Sequence, residues 1–425
     1  MRLVYIIGTY PLVTTTFIER EVRTLRAMGA SVRLVSIRRP HGGNAQSENG
    51  ILYLLPPDWV RLLWAHLFFA LTQTRVYGTL LVWMLTRPHR DSVERVKTFL
   101  HFGEGVYAAY LLRAEPFDHI HAHFVDRAAL VALCIGKLLN KAYSLTAHAN
   151  DIFIAPALLA EKLGGARFVV TVSEFNKEYL LRHCPGLKAE RVRVLHPWVE
   201  LKDFQPSIGR TPTEQLTILS VGRLVEKKGH RYLIEACSLL HKRGMELDCH
   251  ILGEGPLGEE LEELIRANDL TGCVHLDGAQ PQEQVLAHLK RADVFVLPVV
   301  IAPNGDRDGM PVALAEAMAM QLPVISTNIL GIPEMVRPSA GILVPPEDSA
   351  TLAEAIAWVS KMSPEERLEM GRHARQVVAE NFELVNGVQQ LAALFDASIH
   401  RQDERALQLM DTYTAILEDT AHSLP

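Results

Sequence analysis

Two short segments in the C-terminal half of the chain carry residues that could hold a phosphate-bearing ligand. In the first segment, a glycine turn at Gly222 follows an apolar run and comes just before Arg223 and Lys228. Backbone N–H groups at a turn between a parallel strand and a helix favour phosphate oxygens, and Arg and Lys side chains add charge-assisted contacts. The pattern predicts a diphosphate site, although a basic turn exposed to solvent would show the same residues.

The second segment, DGMPVALAEAMA at 308–319, is the stronger signal. Gly309 and Pro311 predict a turn at the start of a helix, where N–H groups could bind sugar hydroxyls or phosphate oxygens. Asp308 precedes the turn and Glu316 lies farther along the helix, so two carboxylates could hold separate parts of one polar ligand. The local alternative is that these residues serve only the helix and bind no ligand: Asp308 would be its N-cap and Glu316 a surface residue.

Three histidines in the N-terminal half lie on or just after predicted strands. His148 ends one strand, whereas His121 and His123 share a face of another because side chains alternate along a strand. No carboxylate or cysteine lies at ligand spacing from these two histidines, so we predict no metal site. A structural role is the preferred interpretation for both.

The elements that must position these residues follow from apolar runs of strand length that alternate with helix-period segments. This alternation is typical of parallel βαβ units and predicts an α/β fold with Rossmann-like, doubly wound sheets. The runs lie at 3–8, 32–37, 119–123, 143–148, 168–173 and 192–196, and then at 216–222, 247–255, 273–278, 293–298, 322–327 and 341–346.

Length and sequence breaks predict two domains. The chain has 425 residues, more than the ~250–300 residues at which a single core stops growing. A polar stretch at 205–215 separates the two sets of runs. The predicted N-terminal domain is therefore 1–205, with a helical insertion at 51–100, and the second domain is 206–380.

Cysteine content and charge distribution indicate the cellular compartment and the kind of partner. Five widely spread cysteines do not form a disulfide framework, which favours a cytoplasmic location. Residues 1–205 carry 25 Lys and Arg against 17 Asp and Glu, whereas residues 206–425 carry 18 against 32. A basic N-terminal half fits an anionic membrane surface or a phosphorylated acceptor, and dispersed arginines without a basic aromatic motif argue against nucleic acid.

The segment 51–85 combines long apolar stretches with three tryptophans and scattered arginines. No uninterrupted stretch reaches the ~18 residues of a bilayer span. A Trp-rich amphipathic hairpin at a membrane interface and a helical pair packed on the sheet both fit. The neighbouring positive charge favours peripheral contact with the cytoplasmic membrane face.

The spacing of Asp308 and Glu316 resembles the Glu-x7-Glu signature of glycosyltransferase family 4, whose members are retaining enzymes with the GT-B fold. VGRLVEKKGH at 221–230, LGEGP at 252–256 and ADVFVLP at 292–298 are similar to further family motifs. The resemblance implies two Rossmann-like domains that face each other across a cleft. It also implies that the residues 381–425 form a helix returning to the first domain, followed by a tail.

In the N-terminal half, HAHF at 121–124 and TAHANDIF at 146–153 resemble acceptor-side motifs of members that build exopolysaccharide, colanic acid or lipopolysaccharide units. The resemblance implies that His148 approaches the reacting sugar. Further acceptor-side residues are His123, Asp151 and the turn that follows the first strand, which consists of Gly8, Thr9 and Tyr10.

The resemblance also implies roles on the donor side. Arg223 and Lys228 would neutralise the diphosphate, and Glu316 would accept hydrogen bonds from the ribose hydroxyls. Asp308 stands where the family usually has Glu, near the transferred sugar; together with His148, Arg223 and Lys228 it forms the predicted catalytic set. The other donor-binding residues are Gly222, Gly253, Gly309, Met310 and Pro311, of which the last three would present backbone amides.

The implied function is transfer of a hexosyl unit, with retention, from a nucleotide-diphosphate sugar to a saccharide or lipid-linked acceptor in cell-surface polysaccharide biosynthesis. No metal or other cofactor is expected, in keeping with the lack of an Asp-x-Asp pair. The sugar, the base and the acceptor stay open. The alternatives are a nucleotide-sugar epimerase and a non-catalytic subunit that binds nucleotide or lipid.

Overall fold

The computed structural model describes residues 1–12, 15–40, 50–154, 157–206 and 215–400. The chain divides into two compact units. The first combines residues 1–171 and 180–193 with the segment from 388 onwards, and the second combines 172–179 with 194–387. Most of the predicted linker at 205–215, and the tail beyond 400, lie outside the described residues.

The first unit contains a seven-stranded sheet. Its strands are β1 (Arg2–Thr9), β2 (Ser31–Arg38), β3 (Leu52–Tyr53), β4 (His119–His123), β5 (Tyr143–Ala147), β6 (Val169–Thr171) and β7 (Val192–Val194). They lie in the order β3-β2-β1-β4-β5-β6-β7, and the pairs from β3 to β6 are parallel. This is the doubly wound order of dinucleotide-binding folds, extended by one strand.

Among the described residues, eight α-helices precede the second sheet. They are α1 (Thr16–Ala27), α2 (Trp59–Thr72), α3 (Thr74–Thr86), α4 (Ser92–Leu112), α5 (Arg127–Leu138), α6 (Asn150–Phe153), α7 (Leu159–Gly165) and α8 (Glu174–His183). Side-chain caps fix where two of them begin, because Asp58 accepts from the N–H groups of α2 and Asp91 from that of Glu94 in α4. The predicted insertion is thus helical, and α4 continues past residue 100 to Leu112.

The second unit contains a six-stranded sheet. Its strands are β8 (Leu216–Val221), β9 (Leu247–Leu252), β10 (Val274–Gly278), β11 (Val294–Leu297), β12 (Val324–Thr327) and β13 (Gly341–Val344). The order is β10-β9-β8-β11-β12-β13 and all five pairs are parallel. The predicted doubly wound α/β fold is therefore confirmed for both units, and all twelve predicted runs form strands.

The remaining helices flank the second sheet or follow it. They are α9 (His230–Lys242), α10 (Gly258–Ala267), α11 (Gln282–Arg291), α12 (Val312–Ala319), α13 (Ile332–Met335), α14 (Ser349–Lys361), α15 (Pro364–Asn381) and a last helix, α16, over 384–400. Ser363 and Glu366 form a capping box at the start of α15.

The last helix, α16, contributes to the core of the first unit. The Phe395 ring lies 6.3 Å from Tyr5, 5.5 Å from His119 and 5.7 Å from Phe168, measured between ring centroids. Phe395 is fully buried. Residues 388–400 therefore belong with the first sheet, although they follow the second in sequence.

Candidate active site

In both sheets the strand order reverses beside the first strand of the unit, between β1 and β4 and between β8 and β11. Ligands of doubly wound sheets bind at the carboxyl ends of the strands at this switch point. The predicted donor residue Gly222 follows β8 directly, and Gly253 follows β9. On the first sheet, Gly8 and Thr9 end β1, and His123 ends β4. The predicted residues thus gather at the expected edge of each sheet.

Two glycines let the backbone turns after β8 and β9 approach each other. Gly253 has a φ of +148°, and a Cβ there would lie 1.9 Å from the carbonyl oxygen of Gly222. A Cβ on Gly222 would lie 3.2 Å from the side chain of Lys228. The aliphatic part of Lys228 therefore lies across Gly222, and a larger residue there would displace the lysine.

Asp308 bridges two lysines. Its Oδ2 lies 2.5 Å from Nζ of Lys228, and its Oδ1 lies 3.2 Å from Nζ of Lys227. Burial alone would raise the pKa of Asp308, but the two ammonium groups outweigh it and lower the pKa below its usual value. The local alternative, Asp308 as an N-cap, does not describe the structure, because α12 begins at Val312 and its N-cap position is Pro311.

Lys227 is a site residue that the sequence did not single out. Its Nζ also lies 3.1 Å from Oδ1 of Asp306, and these neighbours raise its pKa although burial opposes them. The adjacent pair Lys227 and Lys228 was visible in the sequence, but side-chain direction in the short 3₁₀ turn was not. Arg223, by contrast, is exposed, and within the described ranges no ion pair involves its guanidinium.

The turn before α12 offers backbone rather than side-chain donors. Met310 is only 7% exposed and belongs to the hydrophobic core, so a ligand would meet its backbone. Pro311 has no N–H group, which corrects the prediction that it presents an amide donor. The donors of this turn come instead from Gly309, Met310 and the first residues of α12. Glu316 is the fifth residue of that helix and is half-buried.

His230 is a second residue to which the sequence gave no role. It begins α9 directly after Gly229, where a φ of +68° and a hypothetical Cβ 1.8 Å from the Pro298 carbonyl oxygen require glycine. Burial, assisted by the charge of Lys228, lowers the pKa of His230 to about 4. A neutral imidazole therefore lies near Lys228 at the start of α9.

The three residues predicted to form the turn after the first strand lie in different environments, and two of them, Gly8 and Thr9, belong to β1 itself. A Cβ on Gly8 would lie 3.3 Å from Nε of Arg127, so the arginine side chain covers this glycine. Thr9 is half-buried. Tyr10 is buried, and its N–H donates to Oγ of Ser36 at 3.0 Å. The Tyr10 ring is thus part of the core of the unit.

A buried chain of polar groups runs from β1 to His148. Oη of Tyr5 donates to Oε1 of Glu21 at 2.6 Å, the same oxygen lies 3.2 Å from Nε2 of His123, and Nδ1 of His123 lies 3.5 Å from Nε2 of His148. Burial, with a contribution from His123, lowers the pKa of His148 to about 3. His148 is therefore neutral at physiological pH.

We predicted no metal site at His121 and His123 because no carboxylate lies near them in the sequence, but in the folded chain Glu21 lies close to both. The sequence shows no carboxylate close to them, yet α1 brings Glu21 within 4.8 Å of both. In the structure these groups bond to protein atoms: His121 lies 2.8 Å from Oγ of Ser144 and 3.0 Å from Oγ1 of Thr146. The cluster is a hydrogen-bonded network of the core.

Asp151 contacts backbone N–H groups on the acceptor side. Its Oδ2 accepts from the N–H of Val125 at 2.8 Å and its Oδ1 from the N–H of His148 at 3.0 Å. Burial raises the pKa of Asp151 to about 6, although these N–H groups oppose the rise. Asp151 therefore joins the loops after β4 and β5 and positions His148.

A cavity of about 460 Å³ adjoins these loops in the first unit. It is lined by residues at and before the start of α4, by the loop after β4, and by α5 and α6; among them are Arg90, Lys97, Phe124, Arg127 and Asp151. Basic and acidic side chains are both present. The cavity is large enough for a polar group such as a saccharide and is the candidate acceptor cavity.

The apolar face of α2 is exposed to solvent. Trp59 is 73% exposed, Leu63 72%, Trp64 58% and Leu71 72%. We call these four residues the α2 face. An exposed apolar patch of this kind is uncommon on a monomeric protein and is a candidate interaction site. None of the described helices combines the length and the apolar character that crossing a bilayer requires.

Comparison with known proteins identifies the family. Residues 84–203 match the family model Glycosyltransferase Family 4, and residues 202–377 match the model Glycosyl transferases group 1. The chain belongs to glycosyltransferase family 4. The predicted family is therefore confirmed.

Two curated relatives come from bacterial polysaccharide biosynthesis. WcaL of Escherichia coli K12, named as a colanic acid biosynthesis glycosyltransferase, is 39% identical over 215 residues, which cover 50% of this chain and 52% of WcaL. The amylovoran biosynthesis glycosyltransferase AmsK of Erwinia amylovora is 36% identical over 227 residues, which cover 53% of this chain and 54% of AmsK. The chain thus spans about half the length of the curated relatives it matches.

A solved structure supports the fold over nearly the whole chain. The crystal structure of Anabaena HepE in complex with UDP-glucose has a TM-score of 0.66 and 14% sequence identity, and the match covers 93% of this chain and 100% of HepE. At this identity the likeness concerns the fold. It agrees with the predicted GT-B fold class of this family 4 member.

Proposed function

We propose that this family 4 member transfers a hexosyl unit, with retention, from a nucleotide-diphosphate sugar to a saccharide or lipid-linked acceptor in cell-surface polysaccharide biosynthesis. The observation that carries the proposal is the group of Gly222, Arg223, Lys228 and Asp308 at the switch point of the second sheet. Close backbone turns, an exposed guanidinium and a half-buried ammonium are groups that can bind a diphosphate.

The donor-side residues supply the electrostatics of the proposed reaction. As the bond to the sugar breaks, negative charge grows on the departing diphosphate, and fixed positive groups stabilise that charge most in a site with little water. Arg223 would bind it bidentately and Lys228 as a point charge. The leaving phosphate oxygen can take the proton of the acceptor hydroxyl, so the reaction needs no strong protein base and, in this proposal, no metal.

His148 and Asp151 support the acceptor side of the proposal. The neutral imidazole of His148 can accept or donate a hydrogen bond to a sugar hydroxyl, and Asp151 fixes its backbone. The ribose contact proposed for Glu316 rests on its place in α12. HepE, which shares the fold, was crystallised with UDP-glucose, so UDP and its sugar conjugates are the first ligands to test.

We also propose that the α2 face rests on the cytoplasmic face of a membrane. Tryptophan side chains favour the boundary between acyl chains and head groups, and a basic unit is attracted to anionic lipids. Arg61, 67% exposed at the start of α2, is placed to meet head groups. A protein bound in this way would meet a lipid-linked acceptor at the surface where it is anchored.

Thermal unfolding with UDP, GDP, ADP and their sugar conjugates tests the donor site. A ligand at ~100 times its dissociation constant adds roughly 2.7 kcal/mol to the free energy of unfolding. We expect one nucleotide to stabilise the wild type, Arg223→Ala to abolish the effect, and the control Arg243→Ala, an exposed arginine at the end of α9, to retain it. No stabilisation by any nucleotide would refute the donor site.

Product analysis separates the proposed transferase from the two alternatives. A transferase converts the donor only when an acceptor glycan is supplied, apart from slow hydrolysis. An epimerase would change the sugar nucleotide without an acceptor. A non-catalytic subunit would bind the nucleotide and leave the donor intact with every acceptor.

A further inference from the structure

Three histidines and two aspartates gather on one face of the second sheet, and none of them belongs to the proposed donor site. Asp248 and His250 lie two residues apart on β9, and His275 and Asp277 lie two apart on β10. His250 and His275 are direct partners in the parallel register. Because side chains alternate along a strand, this register puts the four on the same face. The intervening Cys249 is buried in the core on the opposite face.

The side chains of this group are in contact. Nδ1 of His250 lies 2.7 Å from Oδ2 of Asp277, and Nε2 of His250 lies 3.3 Å from Oδ2 of Asp248. Nε2 of His275 lies 3.2 Å from the other oxygen of Asp248. The fifth member, His288, comes from α11, and its ring centroid lies 5.1 Å from that of His250.

We propose that His250, Asp277 and His288 bind a Zn²⁺ ion. Each offers one ligand atom, and the three atoms lie within 4.8 Å of one another. Zinc takes imidazole and carboxylate ligands at about 2.0–2.2 Å in tetrahedral geometry, which separates ligand atoms by roughly 3.4 Å. Small side-chain rotations bring the three groups to that spacing. Water completes the fourth position.

Asp248 has the place of the carboxylate that orients a metal-bound histidine. With Nε2–H of His250 donating to Asp248, Nδ1 of the same ring is left as the metal ligand. Asp248 and Asp277 together carry two negative charges, which match the charge of the ion. His288 is half-buried, so its imidazole stays partly open to an ion that approaches from solvent.

The local backbone brings Asp277 to this position. The register of β9 and β10 shifts between Leu276 and Gly278, so Asp277 lies at a bulge. Bulges redirect side chains next to functional sites. β10 is also the edge strand of the sheet. An ion held here would tie the edge strand to its neighbour and to α11.

Calorimetric titration of the full chain with ZnCl₂, after removal of metal by a chelator, tests the site. We expect one ion per chain with a dissociation constant of micromolar or lower. His288→Ala and Asp277→Asn should weaken binding by at least ~10-fold, and Asp248→Asn by ~10- to 100-fold. The control His241→Ala, an exposed histidine of α9 in the same unit, should bind as the wild type does.

Circular dichroism and the thermal transition establish that each variant is folded. Co²⁺ in place of Zn²⁺ should give the visible absorption of a four-coordinate ion in the wild type and lose it in His288→Ala. The proposal is overturned by a wild type without saturable one-to-one binding, by a six-coordinate Co²⁺ spectrum, or by unchanged affinity in His288→Ala. None of these readouts depends on nucleotide binding or sugar transfer, so this proposal and the proposed function fail independently.

Discussion

Replacing Asp308 by Asn should tighten the binding of a nucleoside diphosphate. The Asp308 carboxylate lies 2.5 Å from Nζ of Lys228, the group that we expect to bind the diphosphate. A ligand phosphate must compete with this carboxylate, and it also meets the repulsion of a second anion. The amide of Asn has nearly the same size but no charge, so it removes both effects.

The size of the effect follows from the contact that is released. A hydrogen bond to a charged group contributes about 1.5–3 kcal/mol, and the Lys228 and Asp308 side chains are only 15% and 16% exposed, so solvent screens the pair weakly. At 1.4 kcal/mol per tenfold change, the dissociation constant should fall by roughly 10- to 100-fold. The free energy of unfolding without ligand should fall by about 1–3 kcal/mol, because two ammonium groups lose a partner.

Calorimetric titration with UDP, or with whichever nucleoside diphosphate stabilises the wild type, measures this change. Asp306→Asn is the matched control, because Asp306 contacts Lys227 and not Lys228. Transfer should fall in Asp308→Asn even though the nucleotide binds more tightly, since the carboxylate is assigned near the sugar. Equal or weaker nucleotide binding in Asp308→Asn, or an equal gain in Asp306→Asn, would refute the reasoning.

Three further predictions concern stability, pH and membranes. Gly253→Ala puts a Cβ 1.9 Å from a backbone oxygen and should lower the free energy of unfolding, measured in denaturant, by more than about 3 kcal/mol. The control Gly244→Ala, also at positive φ but with nothing within 4 Å, should lower it by only about 1–2 kcal/mol. Equal losses of unfolding free energy in the two variants would contradict the argument. Burial raises the folded-state pKa of Asp151 to about 6, so its contribution to stability is present below the unfolded pKa of about 4 and is lost as the pH rises through 6. Asp151→Asn should therefore remove roughly 3 kcal/mol of the difference in unfolding free energy between pH 4 and pH 7. An unchanged dependence of that free energy on pH would show that Asp151 is not protonated in this range. Trp59→Ser with Trp64→Ser should reduce flotation with anionic vesicles, whereas Trp358→Ser, 53% exposed in the second unit, should not; equal flotation of all three proteins would exclude the α2 face as the contact.

The sequence by itself determined most of the fold. Strand-length apolar runs and turn residues are local signals, because burial on both sides of a parallel sheet demands continuous apolar residues. The strand that it missed, β3, has only two residues and both are half-buried, so it leaves no pattern. The family motifs likewise made Gly222, Lys228 and Asp308 candidates for the donor site, since each lies in a short segment with a recognisable order of residues.

Only the tertiary structure decided which of these residues meet. Asp308 pairs with Lys227 and Lys228, which precede it by 81 and 80 residues, because β8 and β11 are neighbours in the second sheet. Glu21 reaches His123 from a helix 102 residues earlier. Contacts of this kind depend on strand order and on how a helix packs across it. The pKa of each group depends in turn on burial and on charged neighbours that no window of the sequence contains, so the chemistry of the site follows from the folded chain.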